Sequence, residues 1–337
     1  MQVIPYARPH IDKHDRKAVD TVLRGTTLTQ GHFVKEFEDA ICEYTGARYA
    51  VAFNSGTSAL HAAYLAVSVP KDLIVSMNPI TFVATANMAM AAGCTVNFCD
   101  DRPIPSQQYK LPLHWVPMHY AGRYAGPGLI EDACHALGSD SPYGKVGNCG
   151  GGTKITVFST PAVKNITTGE GGVCTTNDAD LHESMLYTRS HGRIDGVMFR
   201  MGYNYRMTDI QAALGLSQLK KIDEFRDIKQ EMVDKYSREL PWVVLTDTMC
   251  EDFDTHWHLC VIDTSNRDAM QAHLTSKGIG TQIHYPPVHL QPYWGGTEGT
   301  CPKAEKFAKR CLSLPLWVGL TRKQQSSIIE SVKEFYR

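Results

Sequence analysis

Short apolar runs, each ended by a polar or glycine-bearing break and followed by a helix-like stretch, recur through the first half of the chain. YAVAF (49–53) leads into NSGTSALHAAYLAV (54–67), and LIVSM (73–77) into NPITFVATANMAMAAG (78–93). VNF (96–98) follows, then LHWVPM (113–118) with HYAG, GLIED (128–132) with ACHALGS (133–139), and ITVFS (155–159). Strands that are apolar throughout are buried on both faces, and strand–helix alternation sets such strands side by side in parallel. The expected fold is therefore α/β with a mostly parallel central sheet. Helical spacing of apolar residues over 12–24 and 33–45 adds two helices before it.

Beyond GGVCTTN (171–177) the pattern changes. Residues 178–192 read as a helix, and 208–240 as one long helix or two broken near the middle. HWHLCVID (256–263) reads as a strand, RDAMQAHLTSKG (267–278) as a helix closed by Gly278, IGTQIHY (279–285) as a strand and 321–336 as a terminal helix. This predicts a large α/β domain over 12–230 and a small α+β domain over 231–337, to which residues 1–11 add.

Composition narrows the partners. The net charge is −1 and both signs are spread along the 337 residues, whereas nucleic acid or an anionic membrane requires a basic surface. The longest apolar runs, such as ALHAAYLAV (59–67), are too short to span a bilayer. Ten cysteines stand singly, without a C-x-x-C pair, so they read as reduced thiols of a cytoplasmic protein. His256 and His258 have no third ligand nearby and read as packing or hydrogen-bonding residues rather than a metal site.

Ligands of α/β sheets collect beyond the carboxyl ends of the strands. After YAVAF comes Asn54-Ser55-Gly56-Thr57-Ser58 opening a helix, which is either a helix cap or a phosphate-sized anion site. After LIVSM comes Phe82, a core residue or a stacking surface. After GLI come Glu131 and Asp132, and a carboxylate turned inward there needs a cation or several donors. After ITVF come Ser159 and Lys164, and a lysine that forms an imine must sit in a partly dry site. Pyridoxal 5'-phosphate accounts for all of these together: an aldehyde for the lysine, a ring nitrogen for the aspartate, a flat ring for the aromatic and a phosphate for the helix start.

The motifs NSGTSALHAA, TFVATANM, IEDACHALGS, VKNITTGEGG, RSHGR, GYNYRMTDIQAALGLSQLKKID, GIGTQIHYPPVHLQPYW and LSLPLWVGLT follow one another through the chain. In them the sequence resembles the DegT/DnrJ/StrS family of nucleotide-sugar aminotransferases, fold-type I enzymes that use pyridoxal phosphate. The resemblance implies an imine-forming Lys164, a pyridine-nitrogen carboxylate in Asp132, and His135 near the cofactor's phenolic oxygen. It implies ring stacking by Phe82 and phosphate contacts from the Gly56-Thr57-Ser58 helix start and Ser159. It also implies an Asn204 that reaches the phosphate of a partner subunit, so that a homodimer shares its active sites. His191, His284, Tyr285 and His289 lie where the family meets its substrate. The implied reaction moves an amino group from L-glutamate to a keto group, at C4, of a nucleotide-linked 4-keto-6-deoxy sugar.

Two departures stand out. The family reads S-x-H-P-x-K before its lysine, whereas this chain has STPAVK, with Pro161 and Ala162 in place of His-Pro. The segments VNFCDDRPIPSQQYKLPLHWVPMHYAG (96–122) and GGTEGTCPKAEKF (295–307) are short against the family. A sugar dehydratase on the same scaffold would carry histidine at position 164. A non-catalytic cofactor-binding relative, or an α/β protein whose Lys164 caps a turn, are the remaining alternatives.

Overall fold

The computed structural model describes residues 3–67, 74–101, 114–242 and 253–337. Leu73 of the LIVSM run and residues 102–113 of the shortened segment lie outside the described residues. Helix α1 (Lys13–Arg24) starts on a capping box, in which the Asp12 carboxylate accepts the His14 and Asp15 amides and the Asp15 carboxylate accepts the Asp12 amide. These bonds satisfy donors that a helix start leaves without partners. Helix α2 (His32–Thr45) buries Val34, Phe37 and Ile41 at the spacing of one helical face, and each such side chain contributes about 1.5–3 kcal/mol of burial.

Then follow β1 (Tyr49–Phe53), α3 (Gly56–Ala66), β2 (Ile74–Met77), α4 (Val83–Ala91), β3 (Thr95–Phe98), β4 (His114–Trp115) and β5 (Ile130–Asp132). β6 (Ile155–Ser159) and β7 (Gly172–Thr176) complete the sheet. β2 pairs in parallel with β3 and β4, and β5 with β6. Met118 bridges Asp132 in parallel, and the Asp132 amide donates to the Pro117 carbonyl at 2.9 Å. These contacts join the three- and four-stranded sheets into one, in the order β3-β2-β4-β5-β6-β7-β1. Only β7 runs against its neighbours. An antiparallel pair needs no crossover helix, so the connection 160–171 turns back tightly at the carboxyl edge of β6. The sheet is mostly parallel, as the strand–helix alternation predicts.

Helices α5 (Ala179–Arg189), α6 (Asp209–Leu219) and α7 (Ile222–Glu239) follow, the long helical stretch breaking at Lys220–Lys221. The remainder comprises β8 (Cys260–Asp263), α8 (Arg267–Ser276), α9 (Pro302–Ala308), β9 (Cys311–Leu314) and α10 (Arg322–Phe335). A second core gathers Val233, Tyr236, Ile262, Leu274, Leu312, Ile328 and Val332. Ile4 joins it, donating to the Gly278 carbonyl at 2.9 Å and accepting from the Gly280 amide at 2.8 Å.

Three segments differ from expectation. ACHALGS makes turns, not a helix, because the His135 and Leu137 carbonyls accept from the Asn165 side chain. IGTQIHY forms no strand, since its amides serve different neighbours: Gly280 bonds Ile4, and Gln282 bridges Ser313. The HWHLCVID strand begins only at Cys260, because the His256 amide bonds Ser139 Oγ and the His258 amide bonds the Ala121 carbonyl.

Candidate active site

The carboxyl end of β5 carries two buried carboxylates with different surroundings. Glu131 accepts from Thr153 Oγ1 at 2.5 Å and Thr156 Oγ1 at 3.1 Å, and faces His119 Nε2 at 3.2 Å. Asp132, 2% exposed, accepts from Thr85 Oγ1 at 2.5 Å and the Cys134 amide at 3.1 Å. Glu131 is thus internally satisfied. Among the described residues no cation forms an ion pair with Asp132, and both of its hydrogen-bond donors are neutral. Such a group calls for a positive partner.

Beyond β6, the connection is closed by Thr160 donating to Gly171 and Thr168 donating to Thr160, both at 2.9 Å. Lys164 sits inside this turn, half-buried, its amide bonded to the Pro161 carbonyl at 3.1 Å. Among the described residues its Nζ has no hydrogen bond. Burial lowers the pKa of this amine, against the opposite pull of Cys134 and Asp132. A lowered pKa raises the neutral fraction that an imine-forming nucleophile requires.

Around these two groups lies a set of rings. His135 is buried, and its Nδ1 accepts the Ala121 amide at 3.3 Å. The neutral ring therefore carries its proton on Nε2, which donates to Tyr285 Oη at 2.9 Å. Burial holds the His135 pKa well below the ordinary histidine value, and positive Lys164 lowers it further. Tyr285 in turn faces Phe82, with ring centroids 6.1 Å apart. His284 bonds Ser313 Oγ at 2.8 Å, and burial brings its pKa down to about 4. Its carbonyl accepts from Tyr120 Oη at 2.5 Å.

The start of α3 meets the end of β6. A Cβ on Gly56 would fall 2.6 Å from Ser159 Oγ, and one on Gly172 would fall 2.5 Å from the Ser55 carbonyl. The missing side chains let the α3 start and the β6 and β7 ends approach this closely. Ser55 and Ser58 form a capping box, and Ser58 Oγ also donates to Asn54 Oδ1 at 2.7 Å. Ser58 is therefore engaged within the chain, whereas Thr57 is exposed. The corner thus carries both the cap and the anion-binding geometry.

The structure brings together Lys164, Asp132, His135, His284, Tyr285 and Phe82, and sets Gly56 against Ser159. It holds other residues elsewhere. His191, in the left-handed region at φ 60°, donates its amide to the Tyr203 carbonyl at 2.8 Å, and Asn204 bridges Ser190. No described contact joins His191 to Lys164; Asn204 reaches the α3 start only through its carbonyl, which accepts from Asn54 Nδ2 at 3.2 Å. His289 is buried against Glu305, with Nε2 and Oε1 3.0 Å apart. The reading of the sequence missed Thr85, Asn165 and Lys229, and treated His258 as a packing or hydrogen-bonding residue. Its ring lies against that of His135, with centroids 4.2 Å apart and planes tilted by 48°. Lys229 was detectable, because it shares a helical stripe with Phe225, Val233 and Tyr236, where a lysine is out of place.

Among the described residues no group of three or more histidine, cysteine, aspartate or glutamate side chains could hold a metal, and no helix is long and apolar enough to cross a membrane.

A mostly parallel sheet with helices, carrying a lysine and a carboxylate at adjoining strand ends, defines a fold-type I aminotransferase. The sequence profile of the DegT/DnrJ/EryC1/StrS aminotransferase family matches residues 9–108 and 121–333. The chain belongs to that family. It is 33% identical to a Campylobacter jejuni (serotype O:23/36, strain 81-176) UDP-4-amino-4,6-dideoxy-N-acetyl-beta-L-altrosamine transaminase, over 99% of this chain and 100% of the relative. That alignment runs to 379 positions against the 337 residues present here, so it includes gaps in this chain. The solved Helicobacter pylori PseC, an aminotransferase involved in the biosynthesis of pseudoaminic acid, superposes with a TM-score of 0.89 at 32% identity over 99% of both chains. S. venezuelae DesV, solved in complex with a ketimine intermediate, gives a TM-score of 0.89 at 26% identity over 99% of both chains.

Proposed function

We propose that the protein is a pyridoxal-phosphate-dependent aminotransferase that carries an amino group from L-glutamate to the C4 keto group of a nucleotide-linked 4-keto-6-deoxy sugar. The observation that carries this reading is the pairing of two incomplete groups on one sheet edge: among the described residues, an amine without a hydrogen bond at Lys164 and a buried carboxylate without an ion-pair partner at Asp132. A cofactor with an aldehyde and a basic ring nitrogen completes both. The full-length similarity to a UDP-sugar transaminase supports the substrate class.

The cofactor supplies an electron sink that loosens the Cα–H bond of an attached amino acid. Everything else falls to the chain. Asp132 would hold the ring nitrogen, its carboxylate fixed by Thr85 and the Cys134 amide. Lys164 Nζ would hold the aldehyde and, when free, would serve as the base and then the acid for the substrate's Cα proton. His135, its Nε2 proton already committed to Tyr285, accepts no proton readily and serves as a neutral wall. Gly56, Thr57, Ser58 and Ser159 shape the phosphate end, and Phe82 lies on the ring face. For the keto sugar, His284 and Tyr285 would line the pocket beside His135, whereas His289, buried against Glu305, would support its wall from behind.

The active unit is a homodimer. Val197, Met198, Phe199 and Met201 are 55%, 66%, 63% and 72% exposed on and beyond the hairpin Arg193–Met198. An apolar patch of this kind marks an interface. The same segment carries Asn204, which in a dimer would reach the partner's phosphate site, and His191, which would lie toward the substrate.

The decisive experiment supplies a panel of UDP-, dTDP- and GDP-linked keto sugars with glutamate and follows 2-oxoglutarate. Wild type is expected to turn over a 4-keto sugar, and Lys164→Ala to turn over none. Normal turnover by Lys164→Ala would sink the scheme.

A further inference from the structure

We propose that Lys229 is a positioning residue for Lys164, holding through Asn165 the turn that presents the imine-forming amine. This rests on the aminotransferase reading above. Lys229 projects from α7, is 4% exposed, and donates from Nζ to Asn165 Oδ1 at 3.0 Å. No described carboxylate pairs with it. An ammonium taken out of water without a counter-charge costs several kcal/mol, so a lysine conserving no ion pair in the core of a helix stripe needs a reason to be there.

Asn165 supplies it. This residue follows Lys164 directly, and its Nδ2 reaches three carbonyls: His135 at 3.2 Å, Leu137 at 3.0 Å and His256 at 3.1 Å. One amide thereby ties the lysine turn to the turn bearing His135 and to the segment that brings His258 onto His135. With Nδ2 fully used, Oδ1 depends on Lys229, and a buried acceptor left without a donor is destabilising by about 1–3 kcal/mol. A cavity of about 20 Å³ touches Lys164, Asn165 and Lys229 together, which is room for roughly one water.

The charged and titratable groups around Lys229 are Lys164, His256 and His258, with Arg8 and His10 also lining that cavity. All are basic. Burial brings the Lys229 pKa down to about 7, and Lys164 pushes in the same direction.

The test uses the cofactor-loaded protein and two readings besides turnover: the pH midpoint of the cofactor's visible band, and cofactor retention on dialysis. Lys229→Met is expected to shift the midpoint by about one pH unit and weaken retention about tenfold. Lys229→Arg, which keeps a cation and donors, is expected to restore both towards wild type. Asn165→Ala, which leaves Lys229 in place, is expected to weaken retention alike. A Lys229→Met protein with midpoint and retention unmoved would overturn the proposal; if that variant fails to fold, the same null result in Asn165→Ala overturns it. Wild type that takes up no pyridoxal phosphate would instead overturn the aminotransferase reading itself.

Discussion

Glu131 and Asp132 are sequence neighbours whose surroundings assign them different work. Glu131 is closed off by two threonine hydroxyls and His119, so its loss strands partners in the core. Glu131→Ala is expected to destabilise the fold by about 3–5 kcal/mol, read as a lowered urea midpoint, without changing which ligand the site prefers. Asp132 faces the site, and Thr85 Oγ1 at 2.5 Å is the one side-chain hydroxyl that fixes it. Thr85→Val keeps the shape and removes that bond, worth about 1.5–3 kcal/mol to a charged group. The expected result is amino transfer slowed at least tenfold with the fold intact; an unchanged rate would remove Thr85 from the account. The buried imidazoles give a pH signature. His284 titrates at about 4 when folded, against 6.5 for an ordinary histidine, so the unfolded chain takes up the proton first. Stability is fully present above about pH 6.5 and is lost as pH falls towards 4, by up to about 3 kcal/mol from this group. His135 and His258 are shifted in the same direction. A urea midpoint that stayed level across that window would contradict this.

At the scale of elements, the corner between α3 and β6 is set by close approach. Gly56→Ala would press a methyl onto Ser159, an overpacking of about 1–3 kcal/mol. Pyridoxal phosphate is expected to bind about tenfold more weakly, measurable by equilibrium dialysis, and undiminished binding would show that Ser159 gives way freely. Much of this arrangement is legible in the sequence, because strand ends of an α/β sheet converge and the residue types at those ends announce their chemistry. Lys164, Asp132 and the Gly56 corner were found that way. What stayed hidden depends on contacts between distant segments. ACHALGS has helix-like composition, yet Asn165 takes the carbonyls that a helix would use. The reversal of β7 follows from a tight connection whose ends meet through Thr160 and Gly171, and no periodicity records a strand's direction. Thr85 and Lys229 act on partners 47 and 64 positions away, so neither belongs to a local pattern.

At the scale of the molecule, the apolar face beyond the Arg193–Met198 hairpin would, in the proposed homodimer, join assembly to chemistry. Phe199→Asp with Met201→Asp is expected to shift the protein to monomer in sedimentation and to lower cofactor affinity with it, because Asn204 rides on the same segment. A monomeric variant with full cofactor affinity would separate the two. The second core has an unusual composition in time. Ile4 is held between Gly278 and Gly280, and Trp317 Nε1 donates to the Pro5 carbonyl at 3.2 Å. A chain leaving the ribosome exposes Ile4 long before those partners exist, and contacts of such wide sequence separation form slowly. The sheet can assemble while synthesis continues, but the second core must wait until Ile4 and Pro5 meet partners far along the chain, which leaves its apolar side chains uncovered for most of translation.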